Sequence, residues 1–158
     1  MLFRSEIISV DYKGFPKGVK GSPEKMKEAF HIALKQTEDK LKEVDFNSYE
    51  DVLFISKSVG TAVATSYADD KSINARHIYY TPVAESFHFI KEGSGIAFHG
   101  TADAWADTAV INSECERLSI PLYIIPDSSH SLETGEVVTD IKNLDEIMKH
   151  TKLYIDKK

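Results

Sequence analysis

Ser58 lies in the segment Ser56-Lys57-Ser58-Val59-Gly60, which follows the apolar run Val52-Leu53-Phe54-Ile55 and precedes Thr61-Ala62-Val63-Ala64-Thr65. A serine flanked by small residues between a buried strand and a helix can occupy a strained corner that projects its hydroxyl. Small neighbours are needed there because strand and helix backbones approach closely. Two further strand ends carry complementary groups. Phe98-His99-Gly100-Thr101-Ala102-Asp103 closes one run with an acid, and Ile125-Pro126-Asp127-Ser128-Ser129-His130-Ser131-Leu132 closes the next with a histidine. A hydroxyl, a base and an acid suit nucleophilic catalysis, in which the base takes the hydroxyl proton and the acid orients the base.

Each residue also has a plainer reading. Ser58 could cap the helix after it, and Asp103 could cap a helix beginning near Ala104, with Asp107 and Asp127 as rival acids. His130 could be a polar loop residue among Ser128, Ser129 and Ser131. His99 is an alternative base, but it stands one step before Gly100, inside the strand. The joint occurrence of all three residues in the order Ser, Asp, His favours the chemical reading.

The elements that must position them follow from periodicity. A first strand is expected over Phe3 to Val10, followed by the loop Tyr12-Lys13-Gly14-Phe15-Pro16. Ser22-Pro23-Glu24 combines an N-cap, a proline at the first helical position and an acid in the first turn, so a helix begins near Pro23. Met26, Ala29, Phe30, Ala33, Leu34, Thr37 and Leu41 form its apolar stripe, which should pack on a sheet. Ile78-Tyr79-Tyr80, Ile96-Ala97-Phe98 and Leu122-Tyr123-Ile124-Ile125 give three more strands, with a helix from about Ala104 to Leu118. A last helix is expected from Leu144 toward Tyr154, capped by Asn143 with Glu146 three residues on. The alternation implies one α/β domain: a three-layer sandwich around a mostly parallel sheet of about five strands. In an open parallel sheet the loops beyond the carboxyl ends share one edge, so Ser58, Asp103 and His130 can converge.

The chain order, the strand-end placement, the H-G-T-x-D segment and the S-H-S-L segment together resemble the α/β-hydrolase superfamily, most closely over Val52 to Leu132. Ser56 departs from the first glycine of that superfamily's G-x-S-x-G elbow. The first fifty residues offer one strand and one helix where larger members have several strands, so the chain looks like a minimal member. The resemblance implies Ser58 as nucleophile, His130 as base, Asp103 as orienting acid, and an acyl-enzyme hydrolysed by water. It further implies an oxyanion hole with the Val59 N–H as first donor and a second donor from the Tyr12-Lys13 loop, assigned to Tyr12. Phe15, Phe87 and Trp105 follow the first, third and fourth strands and are candidates to line an acyl site. The expected substrate is a small carboxylic ester or thioester. The alternative is a catalytically silent protein of the same fold that binds a small ligand or acts as a regulator.

Composition bounds the rest. The 158 residues, 42% hydrophobic and 28% charged, are ordinary for one globular domain. A net charge of −6 disfavours a nucleic-acid partner. No run approaches the roughly 18 apolar residues of a membrane span. The single Cys115 cannot form an internal disulfide, and Met1-Leu2-Phe3-Arg4-Ser5 has no basic segment followed by an apolar one, so a cytoplasmic location is expected. No metal is expected at His99, Asp103 and His130, because no H-E-x-x-H or paired Cys/His spacing occurs. Gly14, Gly18, Lys20, Gly21 and Ser22 miss the spacing of a phosphate loop, and no cofactor is expected. His31 and His150 are expected on solvated helix faces, and Cys115, late in a helix, as a packed residue.

Overall fold

The computed structural model describes residues 5–157, and contacts divide the chain into two compact units, Met1–Val44 and Asp45–Lys158. No helix among the described residues is long and apolar enough to cross a membrane.

In the first unit, helix α1 spans Pro23–Leu41 and starts as its sequence requires: Ser22 accepts from the Lys25 N–H and proline opens the first turn. Ala29, Ala33, Thr37 and Leu41 of the expected stripe are its buried residues. The strand expected over Phe3 to Val10 does not form in residues 5–10; residues 3 and 4 lie outside the described residues. Ile7 is 91% exposed. A β-branched segment becomes a strand only where a neighbour completes its ladder. Here the tethers are side chains instead: Gln36 accepts from the Lys13 N–H at 2.9 Å and donates to the Lys13 carbonyl at 2.8 Å.

The second unit holds a sheet of four parallel strands in the order β1 (Leu53–Lys57), β2 (Arg76–Tyr80), β3 (Gly95–Gly100), β4 (Leu122–Ile125). Among the described residues the expected count of about five thus becomes four, because residues 5–10 contribute no strand. Helices α2 (Val59–Asp70), α3 (Thr108–Arg117) and α4 (Val137–Asp156) follow β1, β3 and β4. Alternation sorts the strand residues between two cores. Tyr79 and Ala97 pack with Ile111 and Cys115 of α3, whereas Ile78, Ile96, Phe98 and Ile125 pack with Ile147 of α4. Helices therefore cover both faces, giving three layers.

Two helix starts differ from expectation. The α3 helix begins at Thr108 rather than near Ala104, because the Asp107 carboxylate accepts from the Ala109 and Val110 N–H groups. Residues 101–107 are left as a loop. The α4 helix begins at Val137, seven residues before Leu144. Glu136 is its cap and accepts from the N–H groups of Val138 and Thr139, so Asn143 lies inside the helix. Exposed Val137, Val138 and Ile141 explain why this first part shows no clean amphipathic signal.

Candidate active site

The chain turns from β1 into α2 through the single residue Ser58, whose backbone sits at φ 54°, ψ −130°. A side-chain-bearing residue held there stores about 1–3 kcal/mol of strain. Three bonds support it. The Ser58 N–H donates to the Tyr80 carbonyl at 3.0 Å, the Thr61 hydroxyl donates to the Ser58 carbonyl at 2.6 Å, and Thr61 Oγ1 lies 2.5 Å from Ser86 Oγ in the 3-10 turn Ala84–His88. The Ser58 side chain makes no capping bond to α2, so the plain helix-cap reading of this residue is set aside. Val59 is the first residue of α2, where a backbone N–H has no intrahelical acceptor.

The other two groups are brought in by a pair of interlocked loops. At Gly100 a Cβ would collide with the Ser128 carbonyl, so glycine lets the end of β3 lie directly against the loop after β4. The Ala102 N–H donates to that same carbonyl at 2.9 Å, and the Asp127 N–H donates to Thr101 Oγ1 at 2.8 Å. Asp103 is thereby fixed beside His130. Its Oδ1 accepts from the Trp105 N–H at 2.8 Å and its Oδ2 accepts from His130 Nδ1 at 2.8 Å. His130 Nε2 lies 2.8 Å from Ser58 Oγ. A carboxylate can only accept, so the proton of the neutral ring sits on Nδ1 and Nε2 is free to accept from the Ser58 hydroxyl. The Asp103 side chain is 0% exposed and that of His130 18%, so the chain of hydrogen bonds runs from the interior outward.

The remaining expected residues fall in different places. Trp105 is 39% exposed and its ring centroid is 5.4 Å from that of His130, beside the three groups. Phe87 packs in the core with Tyr79, Ile90 and Ile111 and is 5% exposed, which corrects its expected place on a pocket wall: the 3-10 turn after β2 directs this ring inward. Tyr12 and Phe15 belong to the N-terminal unit, where their rings lie 6.0 Å apart and the Tyr12 hydroxyl accepts from Thr37. The rival acids are otherwise engaged or placed: Asp107 caps α3, and Asp127 is exposed. Burial pushes the Cys115 thiol up to about 12, as suits a packed residue. His150 is not a solvated surface group; it is half-buried and stacks on Tyr123.

Sequence reasoning missed a groove of about 570 Å³ next to these residues. Lys57 and Ser131, the chain neighbours of Ser58 and His130, line it together with Leu132, Ile141, Leu144 and Met148. Leu144 and Met148 recur four residues apart in the sequence, a spacing that marks one helix face but not that part of it stays uncovered.

No protein-family model and no curated protein matches the chain. Solved structures do. A protein of unknown function from Agrobacterium tumefaciens, proposed to be an alpha/beta hydrolase, superposes with a TM-score of 0.54 at 16% identity, over 87% of this chain and 62% of its own. An alpha-beta serine hydrolase homologue from Coxiella burnetii gives 0.57 at 15% identity, over 86% of this chain and 66% of its own. The chain has the α/β-hydrolase fold in a minimal, four-stranded form, and it spans about two thirds of the length of these structures.

Proposed function

We propose that the protein is a serine hydrolase acting on a small carboxylic ester or thioester. The observation that carries this reading is the unbroken series Ser58 Oγ, His130 Nε2, His130 Nδ1 and Asp103 Oδ2, with both links at 2.8 Å and the serine held at positive φ. His130 takes the Ser58 proton as Oγ attacks the acyl carbon. Asp103 keeps the imidazole in the required tautomer and balances the imidazolium. The Val59 N–H, at the positive end of α2, stabilises the oxyanion. His130 then returns the proton to the leaving alcohol or thiol, and water, activated by the same histidine, releases the acid. Trp105 and the groove beside Lys57 and Leu132 supply apolar surface for the acyl group.

The test is labelling with a fluorophosphonate probe, alongside turnover of short-chain and long-chain p-nitrophenyl esters and acyl-CoA thioesters. Rapid labelling that maps to Ser58 and vanishes in Ser58→Ala is the expected result. A folded wild type that neither labels nor turns over any ester would instead identify a silent ligand-binding protein of this fold.

A further inference from the structure

His99 lies in β3, four residues before Asp103, and the mechanism above does not use it. Its side chain is 0% exposed, yet Nδ1 makes no hydrogen bond among the described residues and stands 3.8 Å from Asp103 Oδ2. Its other nitrogen, Nε2, lies 2.9 Å from the Thr108 hydroxyl, at the first residue of α3. A threonine hydroxyl can donate or accept, so this contact alone leaves the tautomer open. The carboxylate decides it. With the proton on Nε2, the Nδ1 lone pair would face a buried anion across 3.8 Å, a repulsion that no donor among the described residues relieves. With the proton on Nδ1, an N–H dipole points toward that anion and Thr108 donates to Nε2.

We propose that His99 is a positioning residue for the catalytic acid, carrying its proton on Nδ1 toward Asp103 Oδ2 while Thr108 holds Nε2. This rests on the hydrolase reading for its consequence in catalysis, though not for the tautomer. Asp103 Oδ2 then lies between two imidazoles, one that carries the transferred proton and one that does not. His99 is suited to the second role because burial depresses its proton affinity. Asp103 and Asp107 oppose that shift and His130 adds to it, and these are the charged groups that act on the ring. The ring therefore stays neutral while His130 cycles.

Two measurements test the proposal. Two-bond nitrogen–proton correlation spectra of isotope-labelled protein at neutral pH should show His99 as the Nδ1–H tautomer, and Thr108→Val should populate the other form. The second measurement is the rate of fluorophosphonate labelling at Ser58. His99→Leu should slow it about tenfold, because the buried carboxylate loses the N–H dipole directed at it across 3.8 Å. His99→Asn, which returns an N–H near the Nδ1 position, should recover part of the rate. In His99→Leu the fall of the rate in acid should also begin at a higher pH, because the carboxylate, freed of one N–H, holds the His130 proton more firmly. Should His99→Leu fail to fold, Thr108→Val carries the kinetic arm in its place. An Nε2–H tautomer in the wild type, or a folded His99→Leu protein that labels at the wild-type rate with an unshifted pH profile, overturns the proposal. Absence of labelling in the wild type instead overturns the hydrolase reading, and the tautomer still decides the contact between His99 and Asp103.

Discussion

Asp51 and Asp103 stand at opposite ends of the same parallel sheet, and each pairs with a basic side chain. Asp51, just before β1, binds Arg76 at the start of β2 through both carboxylate oxygens. Arg76 spends its remaining donors on carbonyls at the end of α4, those of Tyr154 at 2.7 Å, Lys157 at 3.0 Å and Ile155 at 3.3 Å, and its guanidinium lies over the Tyr154 ring. Every N–H is engaged, and the cluster ties a helix C-terminus to the sheet. Asp103 pairs with a histidine whose second nitrogen reaches a hydroxyl on a strained backbone. Two acid–base pairs with similar local contacts thus differ in their ends: one closes on structural carbonyls, the other on the Ser58 hydroxyl. Strain together with an uncommitted acid–base group separates a site from a staple.

The sharpest way to break this contrast is at Ser58. Ser58→Ala should lower turnover by about four orders of magnitude or more. Ser58→Gly should be equally inactive yet unfold later, by about 1 kcal/mol, because glycine occupies positive φ without strain. Thermal melts and ester assays on the two variants check both parts, and an unchanged melting temperature in Ser58→Gly would mean that the elbow stores no strain.

The two acids can be compared directly. Asp103→Asn should reduce turnover by about three to four orders of magnitude, since an amide favours the wrong histidine tautomer. Asp51→Asn should leave turnover intact and lower stability by about 1 kcal/mol, as expected for a partly exposed ion pair. If Asp51→Asn is the variant that loses activity, the assignment of roles to the two ends is reversed.

The fold's acid sensitivity should belong to the middle of the sheet rather than to the site. His77 is buried in β2 between the rings of Phe54 and Tyr79, and burial, with Lys91 adding to it, lowers its pKa to about 4. The unfolded chain binds a proton there near the ordinary value of 6.5, whereas the folded chain does not until about 4. Stability is therefore complete above the unfolded value and falls as pH drops through this window, by about 3 kcal/mol. Urea melts at about pH 7.5 and 4.5 should show the loss, and His77→Phe should remove most of it. A wild-type curve that is flat across that range would contradict the prediction.

Arg76→Ala should cost about 2 kcal/mol, more than Asp51→Asn, because it also leaves the α4 carbonyls without their donor. Turnover per folded molecule should be unchanged. The smallest effect is expected at Trp105. Trp105→Ala should alter preference among ester chain lengths a few-fold while leaving probe attack on Ser58 near the wild-type rate. Equal losses for every chain length would place Trp105 in support of His130 rather than of the acyl group.

Legibility varied with the range of the interaction. The β1–Ser58–α2 corner could be read directly, because an apolar run, small residues and a helix are all local signals. The last helix could be read only from Leu144 onward, since its true cap, Glu136, precedes residues whose apolar side chains stay exposed and give no period. Phe87 was misplaced because an aromatic after a strand carries no mark of whether its turn sends it inward.

By itself the sequence determined the alternation of strands and helices, the cap and proline that start α1, the corner at Ser58, and the presence of an acid and a histidine after β3 and β4. Each depends on neighbours within a turn or a strand. Only the tertiary structure decided which of Asp103, Asp107 and Asp127 faces the histidine, that residues 5–10 add no strand, and that Asp51 meets Arg76. These contacts join residues far apart in the chain: 27 positions for Asp103 and His130, 72 for His130 and Ser58, and 25 for Arg76 and Asp51. Such distances are closed by packing, by a Gly100 with no side chain to keep two loops apart and by carbonyls that must find donors once buried, and neither requirement leaves a period in the sequence.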